Sequence, residues 1–122
     1  MKNILVVDDD LTFVAMIRGV LDPAHYTVSS AGNGVDALEE VKKSKPDLIL
    51  LDIKMPKMDG IEFLKEMNEK YGGIEIPVLV TSNNSSLEKI SEGMSLGIRG
   101  YFVKSNESLQ GITEMIDSVF KK

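Results

Sequence analysis

Two kinds of apolar pattern alternate along the chain. Short runs of aliphatic, β-branched or aromatic residues lie at 3–7, 26–30, 47–51, 77–81 and 100–103. The runs at 47–51 and 77–81 are nearly continuous rather than alternating, which is typical of strands covered on both faces. These five runs predict five β-strands.

The second pattern has apolar residues at three- and four-residue spacing, as on one face of a helix. Five sets show this spacing: Leu11, Val14, Ile17 and Leu21; Val35, Leu38 and Val41; Ile61, Leu64 and Met67; Leu87, Ile90 and Met94; and Leu109, Ile112, Ile116 and Val119. Strands alternating with helices predict an α/β fold, with a parallel sheet covered by helices on both faces. A length of 122 residues fits one domain over 1–122.

Composition narrows the classes of protein. With 14 Lys and Arg against 19 Asp and Glu, the net charge is −5, which argues against direct nucleic-acid binding. The lack of cysteine excludes disulfides, zinc–cysteine sites and thiol nucleophiles. The first apolar run is short and ends in three aspartates, so it is neither a signal peptide nor a membrane span. We therefore expect a cytoplasmic protein that contacts neither nucleic acid nor membrane.

Polar side chains follow four of the predicted strands. Asp8 and Asp9 follow the first strand, Asp52 the third, Thr81 ends the fourth, and Lys104 follows the fifth. Because ligands of open parallel sheets bind beyond the carboxyl ends of the strands, these side chains predict a site at that edge. The end of the second strand offers little.

These side chains limit the ligands that such a site can bind. Carboxylates gathered in one cleft repel each other unless a cation offsets them, and oxygen ligands suit Mg²⁺, or Mn²⁺ as the alternative ion. A divalent cation with a hydroxyl and an ammonium group can bind the oxygens of a phosphoryl group, and an aspartate can accept that group covalently. We interpret Asp10 as the cap of the first helix, and His25 as structural or simply exposed.

Four motifs in order identify a family resemblance: VVDDD at 6–10, LLDIKMPKMDG at 50–60, VLVTS at 78–82 and GYFVK at 100–104. The chain resembles the receiver domain of two-component response regulators, of the single-domain chemotaxis-regulator type. That resemblance implies a flavodoxin-like, three-layer, doubly wound fold, whose five-stranded parallel sheet has the order 2-1-3-4-5 and carries five helices.

The resemblance also implies roles at matching positions. Asp52 looks like the phosphoacceptor. Asp8 and Asp9 look like the acidic pair that holds Mg²⁺, Asp9 as the more direct ligand and Asp8 largely through water. The backbone carbonyl of Lys54 would complete the protein ligands of the metal, and no organic cofactor is expected.

Three further residues match the family's switch. Thr81 and Lys104 would each bind a phosphoryl oxygen once Asp52 is modified, and Tyr101 occupies the position of the switch aromatic. The implied function is a phosphorylation-operated signalling switch rather than a turnover enzyme, although the domain assists its own phosphorylation and dephosphorylation. The implied phosphodonor is a histidine kinase, a phosphotransfer protein or a small phosphodonor.

The downstream partner is expected to bind the face formed by the predicted fourth helix, fifth strand and fifth helix. Expected contributors to that face are Ile90, Met94, Tyr101 and Phe102. The expected oligomeric state is a monomer or a weak homodimer.

One departure from the family lies after the fifth strand, where Ser105 replaces the usual proline. A cis bond before a non-proline residue costs about 2.5–4 kcal/mol, so we predict a trans or strained Lys104–Ser105 peptide. Lys54 and Asn83 occupy positions that tune dephosphorylation in the family.

Two alternatives remain at this point. The segment Asp8-Asp9-Asp10-Leu11-Thr12 fits the D-x-D-x-T motif of haloacid-dehalogenase-like phosphatases, although the chain is short for that fold and lacks a second acidic pair near its end. The other alternative is a receiver-fold binding module that is not phosphorylated.

Overall fold

The computed structural model describes residues 1–53, 58, 60–70, 76–82, 98–103 and 109–120. The helices and strands in this part of the chain are β1 (Lys2–Val7), α1 (Leu11–Val20), β2 (Tyr26–Ala31), α2 (Gly34–Lys43), β3 (Leu48–Asp52), α3 (Gly60–Lys70), β4 (Val78–Ser82), β5 (Gly100–Val103) and α4 (Leu109–Phe120). The helix predicted around 87–94 lies outside the described residues, as do Lys54, Asn83, Lys104 and Ser105.

The five strands form one parallel sheet in the order β2-β1-β3-β4-β5, which confirms the predicted order. The central strand β3 is buried along its whole length, as its continuous apolar run predicts. Because the strands are parallel, their carboxyl ends lie at one edge of the sheet. At this edge Asp8 and Asp9 follow β1, Asp52 ends β3, and Thr81 lies near the end of β4.

Each face of the sheet carries its own apolar core. One core packs the sheet against α2 and α3 and includes Ala37, Val41, Phe63 and Leu64. The other packs it against α1 and α4 and includes Phe13, Ile17, Ile112 and Ile116. This arrangement confirms the three-layer architecture, with helices packed on both faces of the sheet.

Three predicted positions differ from the structure. Leu11 and Val35 are 79% and 46% exposed, so neither lies on the buried face of its helix. Both residues stand in the first turn of a helix, and the buried apolar side chains begin at Phe13 in α1 and at Ala37 in α2. Phe102, predicted to contribute to the partner-binding face, is 3% exposed and packs in the core shared with α1 and α4.

Candidate functional site

The structure brings three carboxylates together at the carboxyl edge of the sheet. One oxygen from each of Asp8, Asp9 and Asp52 lies within 4.8 Å of the others. Asp8 and Asp52 are buried, whereas Asp9 is exposed. The cluster thus has a buried floor and one carboxylate open to solvent.

The three consecutive aspartates after β1 divide into two roles. The Asp8 backbone amide donates to the Ala31 carbonyl at 2.9 Å, and the Asp8 carboxylate accepts from the Asp10 amide at 2.9 Å. Asp10 in turn caps α1, because its carboxylate accepts from the amides of Thr12 and Phe13 at 3.0 and 3.2 Å. The prediction that Asp10 is a helix cap is confirmed, and Asp8 and Asp9 remain for the cluster.

Asp52 lies beside a buried hydroxyl. It is the last residue of β3, and its register partner on β4 is Thr81. Thr81 is 1% exposed, and its Oγ1 has no hydrogen-bond partner among the described residues. A buried hydroxyl without a partner costs about 1–3 kcal/mol, so such a group is typical of a site that awaits a ligand.

The donor set fits a hard divalent cation. Three carboxylates within a few ångströms of each other repel, and a bound cation converts that repulsion into attraction. Oxygen-only ligation with room for water suits Mg²⁺ rather than a metal that prefers nitrogen or sulfur. The residues present therefore fit the predicted ion.

Two glycines make close contacts here: Gly60, which ends the LLDIKMPKMDG motif, and Gly34, which the sequence reasoning did not single out. The Gly60 amide donates to the Ile53 carbonyl at 2.8 Å, and a Cβ at Gly60 would collide with the Asp52 carbonyl oxygen. At Gly34 a Cβ would meet Met58. For Gly34, the position directly after Asn33, at the start of a predicted helix, was the available signal.

The remaining predicted site residues fall into two groups. Tyr101 lies on β5 in register with Val80 and is 50% exposed. Lys104 and Lys54 lie outside the described residues, so their predicted roles stay predictions. In the described part of the chain, no helix is both long and apolar enough to cross a membrane.

Comparison with known proteins decides the family. Residues 4–117 match the family described as the response regulator receiver domain. The chain belongs to this family. Receiver domains are signalling proteins of two-component systems, and the match gives no support to the haloacid-dehalogenase alternative.

Individual relatives agree with that assignment. Sporulation initiation phosphotransferase F of Bacillus subtilis is 38% identical to this receiver domain, over 98% of this chain and 92% of the relative. The solved structure of Vibrio cholerae chemotaxis protein CheY4 superposes with a TM-score of 0.87 at 31% identity, covering 98% of this chain and 99% of that one.

Other relatives are longer than the receiver domain. Transcriptional regulatory protein ZraR of Klebsiella oxytoca is 41% identical over 84% of this chain, which spans only 23% of ZraR. The chain likewise spans 42% of the alkaline phosphatase synthesis transcriptional regulatory protein PhoP of Bacillus subtilis, at 36% identity.

Proposed function

We propose that the receiver domain is switched by phosphorylation of Asp52. The observation that carries this proposal is the placement of Asp52, buried at the end of β3 within the acidic cluster and beside the Thr81 hydroxyl, which has no hydrogen-bond partner in the described part of the chain. The phosphodonor would be a histidine kinase, a phosphotransfer protein or a small phosphodonor.

The carboxylates of Asp8, Asp9 and Asp52, together with the backbone carbonyl of Lys54, would hold Mg²⁺, or Mn²⁺ as the alternative. When bound, the ion would offset the charge of the carboxylates and of the incoming phosphoryl oxygens. Exposed Asp9 would be the more direct ligand, and buried Asp8 would act largely through water. Asp8 is held for this role through its amide and one carboxylate oxygen.

The chemical step is transfer of a phosphoryl group to a carboxylate oxygen. An Asp52 oxygen forms a bond to phosphorus while the bond between phosphorus and the donor atom breaks, and its electron pair leaves with the donor. Thr81 Oγ1 donates a hydrogen bond to one phosphoryl oxygen, and Lys104 pairs with another. In this way the domain assists its own phosphorylation, and the same groups serve dephosphorylation by water.

The switch follows from the new charge. The phosphoryl group draws the Thr81 hydroxyl toward it and shifts a pre-existing equilibrium between two conformations. Tyr101, half exposed on β5 next to β4, responds to the movement of Thr81. The change is transmitted to a partner-binding surface near β5, with Ile90 and Met94 as further contributors.

The proposed organisation is a single receiver domain over residues 1–122, monomeric or weakly dimeric, cytoplasmic and without direct contact to nucleic acid or membrane. Its downstream partner would be a protein. Several relatives extend far beyond the region that matches this chain. Any activity of a longer protein that contains this domain is therefore also a proposal.

Labelling with a radioactive small acyl phosphate tests the acceptor. Asp52→Asn is expected to abolish Mg²⁺-dependent labelling. Asp22→Asn is the matched control, because it removes an exposed carboxylate outside the acidic cluster and should label like the unmodified protein. Labelling of Asp52→Asn at the control level would refute the acceptor assignment.

Beryllofluoride with Mg²⁺ tests the remaining alternative of an unphosphorylated binding module, because it mimics an acyl phosphate. The switch predicts Mg²⁺-dependent shifts of amide resonances around Asp52, Thr81 and Tyr101. A spectrum that beryllofluoride leaves unchanged would favour the binding module.

A further inference from the structure

Asp10 forms hydrogen bonds on both sides of the turn between β1 and α1. On one side, its backbone amide donates to a carboxylate oxygen of Asp8 at 2.9 Å. On the other side, its carboxylate accepts from the amides of Thr12 and Phe13 at 3.0 and 3.2 Å, and its carbonyl accepts from the Val14 amide at 3.1 Å. One exposed residue thus joins a buried carboxylate of the acidic cluster to the first turn of a helix.

Helix α1 is anchored directly after Asp10. Its residues Phe13, Val14 and Ile17 are buried in the core that α1 shares with α4. Asp10 has an extended backbone, with φ −86° and ψ 98°, as is usual for a capping residue before the first helical turn. The direction of the Asp10 amide therefore depends on the cap, because one residue carries both the amide and the capping carboxylate.

Asp8 is the most deeply buried member of the cluster, at 1% exposed against 7% for Asp52. Its amide donates to the Ala31 carbonyl, which fixes its backbone to the end of β2, but a carboxylate can still rotate about its side-chain bonds. The bond from the Asp10 amide holds one of the Asp8 oxygens. It therefore helps to set the orientation in which an Asp8 oxygen lies within 4.8 Å of the oxygens of Asp9 and Asp52.

We propose that Asp10 is a positioning residue of the metal site, because its cap on α1 holds the amide that orients the Asp8 carboxylate. This inference rests on the proposed function, since it takes the acidic cluster as the Mg²⁺ site. Hydrogen bonds that orient a ligating group affect metal affinity without touching the metal. Without the cap, the first turn of α1 is less ordered, and part of the binding free energy of Mg²⁺ is used to order it again.

Two neutral variants separate the cap from the charge of Asp10. Asp10→Asn keeps a side-chain oxygen that can cap the helix and Asp10→Ala does not, while both remove the same charge. Titration calorimetry with Mg²⁺ on the full chain, without any phosphodonor, should give about fivefold lower affinity for Asp10→Ala than for Asp10→Asn. A fivefold change corresponds to about 1 kcal/mol, the usual contribution of a helix cap.

Amide hydrogen exchange in EDTA tests the same link without any metal. The amide of residue 10 should be protected in the unmodified protein and in Asp10→Asn, and should exchange faster in Asp10→Ala. The Ala24 amide is the matched control, because it donates to the Asp22 carboxylate two residues before it at the same distance of 2.9 Å. Its exchange should be equal in all three proteins.

A destabilised variant isolates positioning from general loss of stability. Ile76 is buried just before β4, in the core on the face of the sheet opposite α1. Ile76→Val should lower the unfolding midpoint in EDTA while keeping Mg²⁺ affinity. If Asp10→Ala fails to fold, Asp10→Gly is the milder variant, because glycine is better tolerated at the capping position although it also lacks the oxygen. It should bind Mg²⁺ about twofold more weakly than Asp10→Asn.

The outcomes separate this inference from the proposed function. Unmodified protein that binds Mg²⁺ no better than Asp9→Asn would contradict the proposed metal site itself. Equal Mg²⁺ affinity of folded Asp10→Ala and Asp10→Asn, or of Asp10→Gly and Asp10→Asn if Asp10→Ala does not fold, would overturn the positioning role alone. So would an unchanged exchange rate of the residue 10 amide in the variant without the cap, or an equal loss of affinity in Ile76→Val.

Discussion

The two ends of the parallel sheet differ in how their charged side chains are arranged. At the carboxyl end, the like charges of Asp8, Asp9 and Asp52 converge, and the Thr81 hydroxyl is buried without a partner among the described residues. At the amino end, side chains instead form a hydrogen bond, a cation–π contact and a His–Asp pair. The contrast separates a region whose like charges fit a divalent cation from one whose side chains pair with each other.

The pairs at the amino end join the first strands to the C-terminal helix. The Tyr26 hydroxyl donates to an Asp117 carboxylate oxygen at 2.5 Å, and the Tyr26 ring lies 6.1 Å from that of Phe120. The Lys2 ammonium lies 5.3 Å from the centre of the Phe120 ring. Burial, the hydrogen bond to Asp117 and the negative charge of Asp117 raise the pKa of Tyr26 to about 12.

A further pair at this end, between His25 and Asp22, is exposed. His25 Nδ1 lies 2.8 Å from an Asp22 carboxylate oxygen, with 75% of the His25 side chain exposed, in agreement with its interpretation as structural or exposed. Hydrogen bonds from the Ala24 amide and from His25 lower the pKa of Asp22. Because such exposed pairs are screened by solvent, most of the stability at this end should come from Tyr26.

The largest expected effect concerns the backbone at the carboxyl end. Gly60→Ala should lower the free energy of unfolding by about 2–3 kcal/mol, because its Cβ would collide with the Asp52 carbonyl oxygen. Urea unfolding measures this loss. Gly19→Ala, inside α1 with open space around it, should instead raise stability by about 0.5–1 kcal/mol. Equal effects of the two substitutions on stability would show that the contact between a Cβ at position 60 and the Asp52 carbonyl oxygen is not the cause.

The next effect has the opposite sign. Thr81→Val should raise the free energy of unfolding by about 1–2 kcal/mol in EDTA, because a methyl group of similar size replaces a buried hydroxyl that no described residue hydrogen-bonds. The same variant should lose the beryllofluoride response at Tyr101. A lower free energy of unfolding for Thr81→Val would show that the buried hydroxyl does not destabilise the protein. It would also argue against the difference between the two ends of the sheet.

At the amino end, Tyr26→Phe should lower the free energy of unfolding by about 1 kcal/mol at neutral pH, because it removes the hydrogen bond to Asp117. The pKa of Tyr26 rises from 10.0 to about 12 on folding, so its contribution is complete below pH 10 and lost as the pH rises through 12. Unfolding midpoints measured between pH 9 and 12 should therefore converge for the two proteins. Exposed Tyr101→Phe is the control, and midpoints that stay parallel would contradict the assignment.

The smallest effect comes from an exposed carboxylate. Asp9→Asn should raise the free energy of unfolding by about 0.5 kcal/mol in EDTA, because it relieves repulsion within the cluster but acts at a solvated position. In Mg²⁺ the order should reverse, since the unmodified protein gains stability from the bound ion. Thermal unfolding with and without Mg²⁺ measures both, and an unchanged order would argue against Asp9 as a ligand.

The fold could be predicted from the sequence to a large extent. Strand β3 reads as a continuous apolar run because both of its faces are covered, and the motifs after β1, β3 and β4 identified the family and hence the strand order. The capping role of Asp10 was likewise visible, since it depends only on the three residues that follow it. The buried strand and the helix cap depend on neighbouring residues, so local spacing predicts them, whereas the strand order was implied by the family resemblance.

Contacts between distant segments could not be predicted in the same way. Leu11 and Phe13 both fit an apolar helix, but only the position of α1 over the sheet decides that Leu11 is exposed and Phe13 buried. The closeness of Gly34 to Met58 and the short Tyr26–Asp117 bond join residues far apart in the chain. The sequence alone thus determined which groups stand at the strand ends. Tertiary packing decided which of these groups are in contact, because contacts between distant segments depend on how the helices and loops pack on the sheet.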